Sequence, residues 1–296
     1  MKNIAILLTC YNRKDKTMSC LDSLACTYVL AKSRLNISVY LTDDGSTDGT
    51  ATAVMKEMYP FKIHILEGTG NMYWNGGMIN SWRKAISDGG FDGYLLLNDD
   101  VIMLDSFWSE LEVADMVSQN DWGRHGIYVG STCDPITKQF TYGGFNFTNK
   151  LTLKDEYVIP DGITYQCCQC AHGNITYISS EVVSQLGVFC DEYIHGGTDH
   201  DYSFLAYKAG FPILVLPNYA GFCENDHKED GYADFLRMPL RERLAYLKSP
   251  FGFNLHNTLL FQKRCFPYRY PFVWIMGYAK ALFPKTYWAI YRKLRK

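Results

Sequence analysis

The chain opens on a short apolar run, residues 3–9 (Asn-Ile-Ala-Ile-Leu-Leu-Thr), that gives way to a polar loop at 10–15. Such a run between polar flanks predicts a buried strand. Residues 16–32 carry helical spacing, and 36–42 (Asn-Ile-Ser-Val-Tyr-Leu-Thr) alternate like a strand. That second strand runs into Asp43-Asp44-Gly45-Ser46-Thr47-Asp48-Gly49-Thr50. Its Gly and Asp residues demand a turn, and Thr47 or Asp48 is placed to cap a helix over about 50–58. A strand over 61–66, a glycine-bearing loop over 71–77, a helix over 78–88 and a strand at Leu95–Leu97 follow. This rhythm predicts right-handed βαβ units: a Rossmann-like, mostly parallel α/β sheet with helices on both faces. Ligands in such sheets bind at the carboxyl ends of the strands. Thr9, Asp43, Asp44, Asp99 and Asp100 all fall at such ends, so they should converge on one site.

The second half changes character. Residues 126–131, 139–147 and 157–178 are strand-like, 180–186 a short helix, and 187–197 a loop containing Gly196-Gly197. Residues 199–210 are helical in pattern and 212–217 form one more strand. From about 226 the chain reads as helix with aromatic interruptions, so the expected division is a body, 1–225, and a helical extension, 226–296. A hydrophobic share of 47% with 20% charged residues fits a globular protein with a substantial core. The formal net charge of −2 hides an asymmetry. Glu242 is the last acidic residue, and eleven Lys or Arg lie between Arg243 and Lys296, which leaves the first 242 positions at −13. An acidic body with a basic tail argues against a nucleic-acid partner. The N-terminal apolar run is too short for a secretory leader, and no uncharged stretch of about 18 residues predicts a membrane span. A cytoplasmic location is the expectation. The ten cysteines are then read as reduced. The cluster Cys167, Cys168 and Cys170 beside His172 lacks the paired C-x-x-C spacing of a zinc site and is read as structural.

Chemistry enters at residues 93–104, where Gly-Tyr-Leu-Leu-Leu-Asn-Asp-Asp runs from a strand into two adjacent acids, Asp99 and Asp100, before turning apolar again. Carboxylates at the end of a buried strand are costly unless a cation satisfies them. A divalent metal shared with a phosphate-bearing substrate is the economical choice. Four segments, in order, resemble glycosyltransferase family 2 over about residues 1–225. They are Thr9-Cys10-Tyr11-Asn12-Arg13, the Asp43–Thr50 turn, Asn98-Asp99-Asp100, and Gly197-Thr198-Asp199-His200-Asp201-Tyr202. The resemblance implies a GT-A fold, a nucleotide-sugar donor, a divalent ion (Mn²⁺ or Mg²⁺) and inversion at the anomeric carbon.

The residues themselves fit that expectation. A nucleotide needs a carboxylate to accept from its base or ribose; Asp44 suits the base, while Asp43 either joins it in binding the donor or holds the loop. By resemblance, Thr9 and Tyr11 line the base pocket. Arg13 either approaches the donor or lies on the surface. Asn98-Asp99-Asp100 corresponds to the family's Asp-x-Asp motif. Asn98 can accept a hydrogen bond but brings no charge. Asp100 therefore becomes the expected metal ligand, and Asp99 reaches the ribose or a metal-bound water. Asp199 corresponds to the Asp of the family's Glu-Asp motif, with Thr198 in place of the Glu. Displacement at an anomeric carbon needs a base for the acceptor hydroxyl, and Asp199 is the candidate. Asp201, two residues on, faces differently on a helix and is assigned to acceptor contact or loop support. His227 is a second candidate at the metal or pyrophosphate. Asn71, Trp74, Asn75 and Gly77 resemble a donor-contacting segment. His172, with Tyr142-Gly143-Gly144, borders the acceptor pocket by position.

The tail, Phe266 to Lys296, interleaves aromatics with Lys and Arg. That pattern suits an amphipathic helix on an anionic membrane, which a lipid-linked acceptor would make useful. A helix packed on the body or on another subunit is the alternative. The expectation is transfer from a UDP- or dTDP-linked sugar to a saccharide or lipid-linked saccharide in surface polysaccharide synthesis, peripheral to the inner face of the cytoplasmic membrane. Two rivals stand beside it. A nucleotidyltransferase would want a Gly-rich, basic loop near residues 9–15, which only Arg13 and Lys14 suggest. A catalytically decayed carbohydrate-binding protein finds room in Asn98 and Thr198. No G-x-G-x-x-G follows the first strand, against a nicotinamide dehydrogenase.

Overall fold

The computed structural model describes residues 2–225 and 231–294. The first half runs β1 (Lys2–Cys10), α1 (Lys14–Ala31), β2 (Leu35–Asp43), α2 (Thr50–Lys56), β3 (Lys62–Glu67), α3 (Tyr73–Asp88), β4 (Gly93–Leu97), β5 (Ile102–Met103) and α4 (Phe107–Trp122). The strands β3-β2-β1-β4 lie side by side and parallel. Alternation along β1 divides the core in two. Ile4, Ile6, Leu8 and Cys10 pack with Leu21 and Leu24 of α1 and Trp108 of α4. Ala5 and Leu7 face the other way, onto Met78, Ile79 and Trp82 of α3. Both faces are covered, which is why the strand reads as an unbroken apolar run. Cys10 stands opposite Asp43 and Leu7 opposite Leu96, so the three strand ends share one edge.

The second half continues with β6 (Ile127–Cys133), β7 (Phe140–Tyr142), β8 (Gly144–Asn149), β9 (Lys154–Tyr157), β10 (Gln166–Cys167), β11 (Cys170–Ala171), β12 (Ile175–Ser179), α5 (Ser180–Leu186), α6 (Thr198–Lys208) and β13 (Ile213–Phe222). β12 enters antiparallel between β4 and β6, and β13 lies parallel to β6. β6 and β13 therefore point the same way as β4. A smaller sheet, ordered β11-β8-β9, stands beside the main one. The extension forms α7 (Gly231–Arg237), α8 (Leu240–Lys248), α9 (Leu255–Cys265), a 3₁₀ turn at Pro267–Arg269, α10 (Tyr270–Leu282) and α11 (Pro284–Leu294). Its Cys265 and Phe266 pack against Phe145, Cys170 and Phe204 of the body. Phe235, Leu247, Leu255 and Ala281 form a small core of its own. Among the described residues no helix is long and apolar enough to cross a membrane.

The architecture is the mixed α/β sheet expected, with three local differences. α4 is absent from the elements predicted, although Phe107, Trp108, Leu111, Ala114 and Ser118 are buried at helical spacing and Gly123 ends the helix at φ 69°. The expected loop at 71–77 is helical from Tyr73 onward. The expected strand at 157–178 is broken, because Asp161 Oδ1 accepts from the amides of Ile163 (2.8 Å) and Thr164 (2.7 Å) and turns the chain.

Candidate active site

A cleft of about 840 Å³ lies across the carboxyl edge of the main sheet. One wall carries Thr9, Tyr11, Arg13, Asp44 and Trp74, and its floor carries Asn98, Asp99 and Asp100. The opposite wall carries His172, Gly173, Asp199 and His200, with Phe251 reaching in from the extension.

The acids after β4 are held by one cation. Arg13, at the start of α1, places Nη1 3.1 Å from Asp99 Oδ1 and Nη2 2.5 Å from Asp100 Oδ2. Thr17 donates its hydroxyl to Asp99 Oδ2 at 3.3 Å. Burial dominates at Asp99 and pushes its pKa up to about 6; Arg13 pulls it down and Asp100 pushes it up further. Asp100 is the more open of the two and borders Cys223. Trp74 donates its indole N–H to Asn98 Oδ1 at 2.8 Å, so the uncharged first residue of the trio serves as an acceptor to the neighbouring wall. Among the described residues, no group of three or more His, Cys, Asp or Glu converges as a cage for an ion. The donor set still suits one. Asp100 is a hard oxygen donor at the cleft floor, in a carboxylate pair that already draws a cation. Mg²⁺ and Mn²⁺ are commonly held by one or two carboxylates plus substrate phosphate oxygens and water.

Asp44 works across the sheet. It is buried, and its carboxylate accepts from three backbone amides: Gly70 (2.8 Å), Met72 (2.8 Å) and Tyr73 (3.0 Å). The last two lie at the start of α3, whose first amides have no intrahelical acceptor. Asp44 thus caps α3 from a distant strand end while also lining the cleft. Asp43 holds the loop, accepting from the Ser46 amide at 2.8 Å.

Asp199 sits in the first turn of α6. Its Oδ2 accepts from the Gly173 amide at 2.9 Å and its Oδ1 from the His200 amide at 3.0 Å. His200 Nε2 stands 3.9 Å from Oδ1. The same Gly173 has no room for a Cβ, which would come 2.8 Å from the Trp74 ring. Asn98, Trp74, Gly173 and Asp199 are therefore linked across the cleft. His172 packs edge-on to His200 with ring centroids 4.8 Å apart. Burial first, and His200 second, push the His172 pKa down to about 4.

Not every expected residue reaches the cleft. Asp201 is almost fully buried, and both of its oxygens accept from Arg264 Nε of α9, at 3.0 and 2.9 Å. Its carboxylate points into the α6–α9 contact and does not line the cleft. Gly77 lies in α3 where a Cβ would come within 2.0 Å of Thr9 Oγ1, so it serves close helix–strand packing. Asn71 lines a separate surface pocket with Arg83 and Asp191. Thr198 is fully buried, so that position presents nothing to the cleft. His227 lies outside the described residues. Sequence reasoning missed His195, Tyr73 and Phe251. His195, directly before the Gly196-Gly197 loop, was findable; Phe251 comes from a segment with no motif.

Comparison with known proteins completes the description. A family model described as Glycosyl transferase family 2 matches residues 5–177. Among curated proteins no significantly similar sequence is found. Among solved structures, the chain is similar to S. aureus TarS 1-349 in complex with UDP, at a TM-score of 0.59 and 14% identity, over 99% of this chain and 92% of that one. It is similar to TarS 1-349 with UDP-GlcNAc at a TM-score of 0.54 and 12% identity, over 89% and 71%. It is also similar to the mannosyltransferase PcManGT from Pyrobaculum calidifontis with GDP-Man and Mn²⁺, at 0.52 and 16%, over 98% and 78%. These likenesses are of fold, the GT-A arrangement.

Proposed function

The chain belongs to glycosyl transferase family 2, and from that premise we propose that it moves a sugar from a nucleoside-diphosphate donor to an acceptor hydroxyl with inversion at the anomeric carbon. The observation that carries this reading is a single cleft with Asp99 and Asp100 on its floor and Asp199 on the facing wall. Asp199, oriented by the Gly173 and His200 amides, takes the proton of the acceptor hydroxyl. The hydroxyl oxygen bonds the anomeric carbon as the bond to the diphosphate breaks, and the electron pair leaves on the diphosphate. Arg13 spreads its planar fork over Asp99 and Asp100 and so holds the acid pair at the cleft floor, beside the position the departing phosphates would take. Thr9, Tyr11 and Trp74 line the side where the nucleotide would lie. A divalent ion, Mn²⁺ or Mg²⁺, held by Asp100 would stabilise the charge developing on the leaving group. UDP- and dTDP-linked sugars are the proposed donors; the similar structures contain UDP-GlcNAc and GDP-Man.

The test is product analysis with two variants. Wild type should release nucleoside diphosphate, and pyrophosphate release would point to nucleotidyl transfer instead. Asp199→Asn should lower kcat by roughly 10²–10⁴ with nucleoside-diphosphate binding retained. Asp100→Ala should abolish metal-dependent turnover. Full activity in both variants, shown folded, would sink the reading.

Peripheral membrane binding is part of the same proposal. Phe272, Trp274, Ile275, Leu282 and Phe283 are exposed on and just after α10, in a tail whose sequence is basic. Lys280 does not join them: its Nζ lies 4.0 Å over the Phe253 ring, and burial lowers its pKa to about 8. A lipid-linked saccharide acceptor would be presented on such a surface. Co-sedimentation with phosphatidylglycerol vesicles should fall sharply in Phe272→Ser/Trp274→Ser, and undiminished binding would reject it.

A further inference from the structure

A second cavity, of about 500 Å³, opens off the main cleft beyond Asp199. The two share Tyr157, His172, His195, Gly196, Gly197 and His200. The body contributes Phe145 and Phe147 of β8 with Asp155 and Tyr157 of β9, and α9 contributes Asn254 at its N-cap, Thr258 and Phe261. The size is that of a ligand pocket. Two features define what it would take. Its wall is aromatic, with Tyr157 half exposed and Phe147 and Phe261 partly buried. Its polar groups are short and mostly neutral, Asn254 and Thr258 among them. Among the described lining residues there is one carboxylate, Asp155, and no Lys or Arg. The main cleft differs on this point, since Arg13 reaches into it.

From this geometry, and resting on the glycosyl-transfer reading, we infer that the cavity binds a neutral sugar residue of the acceptor, one unit removed from the hydroxyl that attacks. Aromatic faces carry partial negative charge and meet the C–H faces of a pyranose well. Amide, hydroxyl and carboxylate groups accept and donate to its hydroxyls. A phosphate or uronate here would stand beside the Asp155 carboxylate with no Lys or Arg among the described lining residues to offset the like-charge repulsion. A negatively charged part of the acceptor therefore belongs outside this cavity. The α9 helix belongs to the binding site, although it lies wholly outside the segment that matches the family model.

Thr258 is the residue to change. It is exposed at the cavity, and its hydroxyl bonds only the Asn254 carbonyl of its own helix at 3.1 Å among the contacts described. Thr258→Trp should fill the cavity without disturbing a core, and Lys263→Ala, at an exposed position of the same helix outside the cavity lining, serves as the control. The full-length chain, fluorescently labelled, is applied to an array of neutral oligosaccharides printed beside phosphorylated and uronate-bearing ones. Thermal shift by UDP, dTDP and GDP with Mn²⁺ is measured in parallel. The expected result is binding to neutral glycans alone, reduced at least tenfold in Thr258→Trp and unchanged in Lys263→Ala, with the nucleotide shift intact in all three. Three results overturn the inference while the nucleotide shift persists: no neutral glycan bound, anionic glycans preferred, or neutral binding indifferent to Thr258→Trp. If Thr258→Trp fails to fold, the wild-type preference for neutral over anionic glycans still decides it. Loss of the nucleotide shift in wild type would instead overturn the reading of the cleft as a donor site.

Discussion

The donor side of the cleft and its acceptor side are held together in different ways. On the donor side, the polar side chains find their partners within the first hundred residues, where the donor motifs lie, Arg13 on Asp99 and Asp100 among them. Asp43 bonds the Ser46 amide, Asp48 bonds Thr50, and Asp44 reaches Gly70 through Tyr73, one strand over. On the acceptor side, the partners come from the far end of the chain. Asn257 donates to the carbonyls of His195 and Gly196, some sixty residues back. Arg264 grips Asp201, 63 residues earlier, and so fixes the helix that carries Asp199. The donor side is assembled by its own motifs, whereas the candidate base depends on a tail with no motif of its own.

The strongest way to break this contrast is Arg264→Met. It leaves the buried Asp201 carboxylate without its cation, which should cost about 3 kcal/mol, discounted because the guanidinium is one-third exposed. Burial already raises the Asp201 pKa against the pull of Arg264. Without Arg264 it rises further, and a carboxyl with a raised folded pKa loses stability as pH climbs. The loss should therefore be larger at pH 8 than at pH 5 by denaturant melts. Adding Asp201→Asn should recover much of it. If Arg264→Met lowers neither stability nor transfer rate, the tail is an appendage and the contrast fails.

The same contrast explains what was legible in the sequence. β1, β2 and β4 end in Cys10, Asp43 and Leu97, and each end announces itself by an apolar run meeting polar residues. Period and turn chemistry sufficed there, and the sheet, the acid pair and Asp199 at the start of α6 followed. The partner of Asp201 was not legible because its surroundings are set by Arg264, whose position relative to α6 has no periodic signature. Phe251 and the α9 wall were invisible for the same reason. α4 is legible in the helical spacing of Phe107, Trp108, Leu111 and Ala114, although no motif marks it. Asp44 was legible as a cleft residue but not as a cap, because the amides it satisfies lie 26 to 29 positions away.

That cap offers a milder test, on the donor side. Asp44→Ala leaves the Gly70, Met72 and Tyr73 amides without their acceptor and should cost about 2 kcal/mol, since water from the cleft can replace part of it. Asp44→Asn keeps one acceptor oxygen and should cost about half as much. Both should weaken nucleoside-diphosphate binding by loosening the start of α3, whereas Arg264→Met should leave that binding alone. A Tm for Asp44→Ala equal to wild type would show that the α3 amides are satisfied without it.

The smallest expected effect concerns pH on the acceptor side. His172 is held neutral by burial and by His200, with its folded pKa pushed down to about 4. An unfolded chain takes up that proton near pH 6.5. The stability tied to neutral His172 is thus complete above pH 6.5 and is lost as pH falls from there toward 4. Between pH 7.5 and 5.5 the loss should be about 1 kcal/mol. Asp199 and Asp155 oppose the shift and His200 drives it, so all three facing groups must be left in place. His172→Phe keeps a ring against Phe145 and Tyr142 but removes the titration. It also removes the Nδ1 bond to the Gly143 carbonyl at 2.8 Å, an offset that does not vary with pH. The variant should therefore be less stable than wild type at pH 7.5 and closer to it at pH 5.5. Parallel stability curves would mean that His172 is solvated and titrates as in the unfolded chain. The aromatic wall between the cleft and its side cavity would then be wetter than its packing indicates.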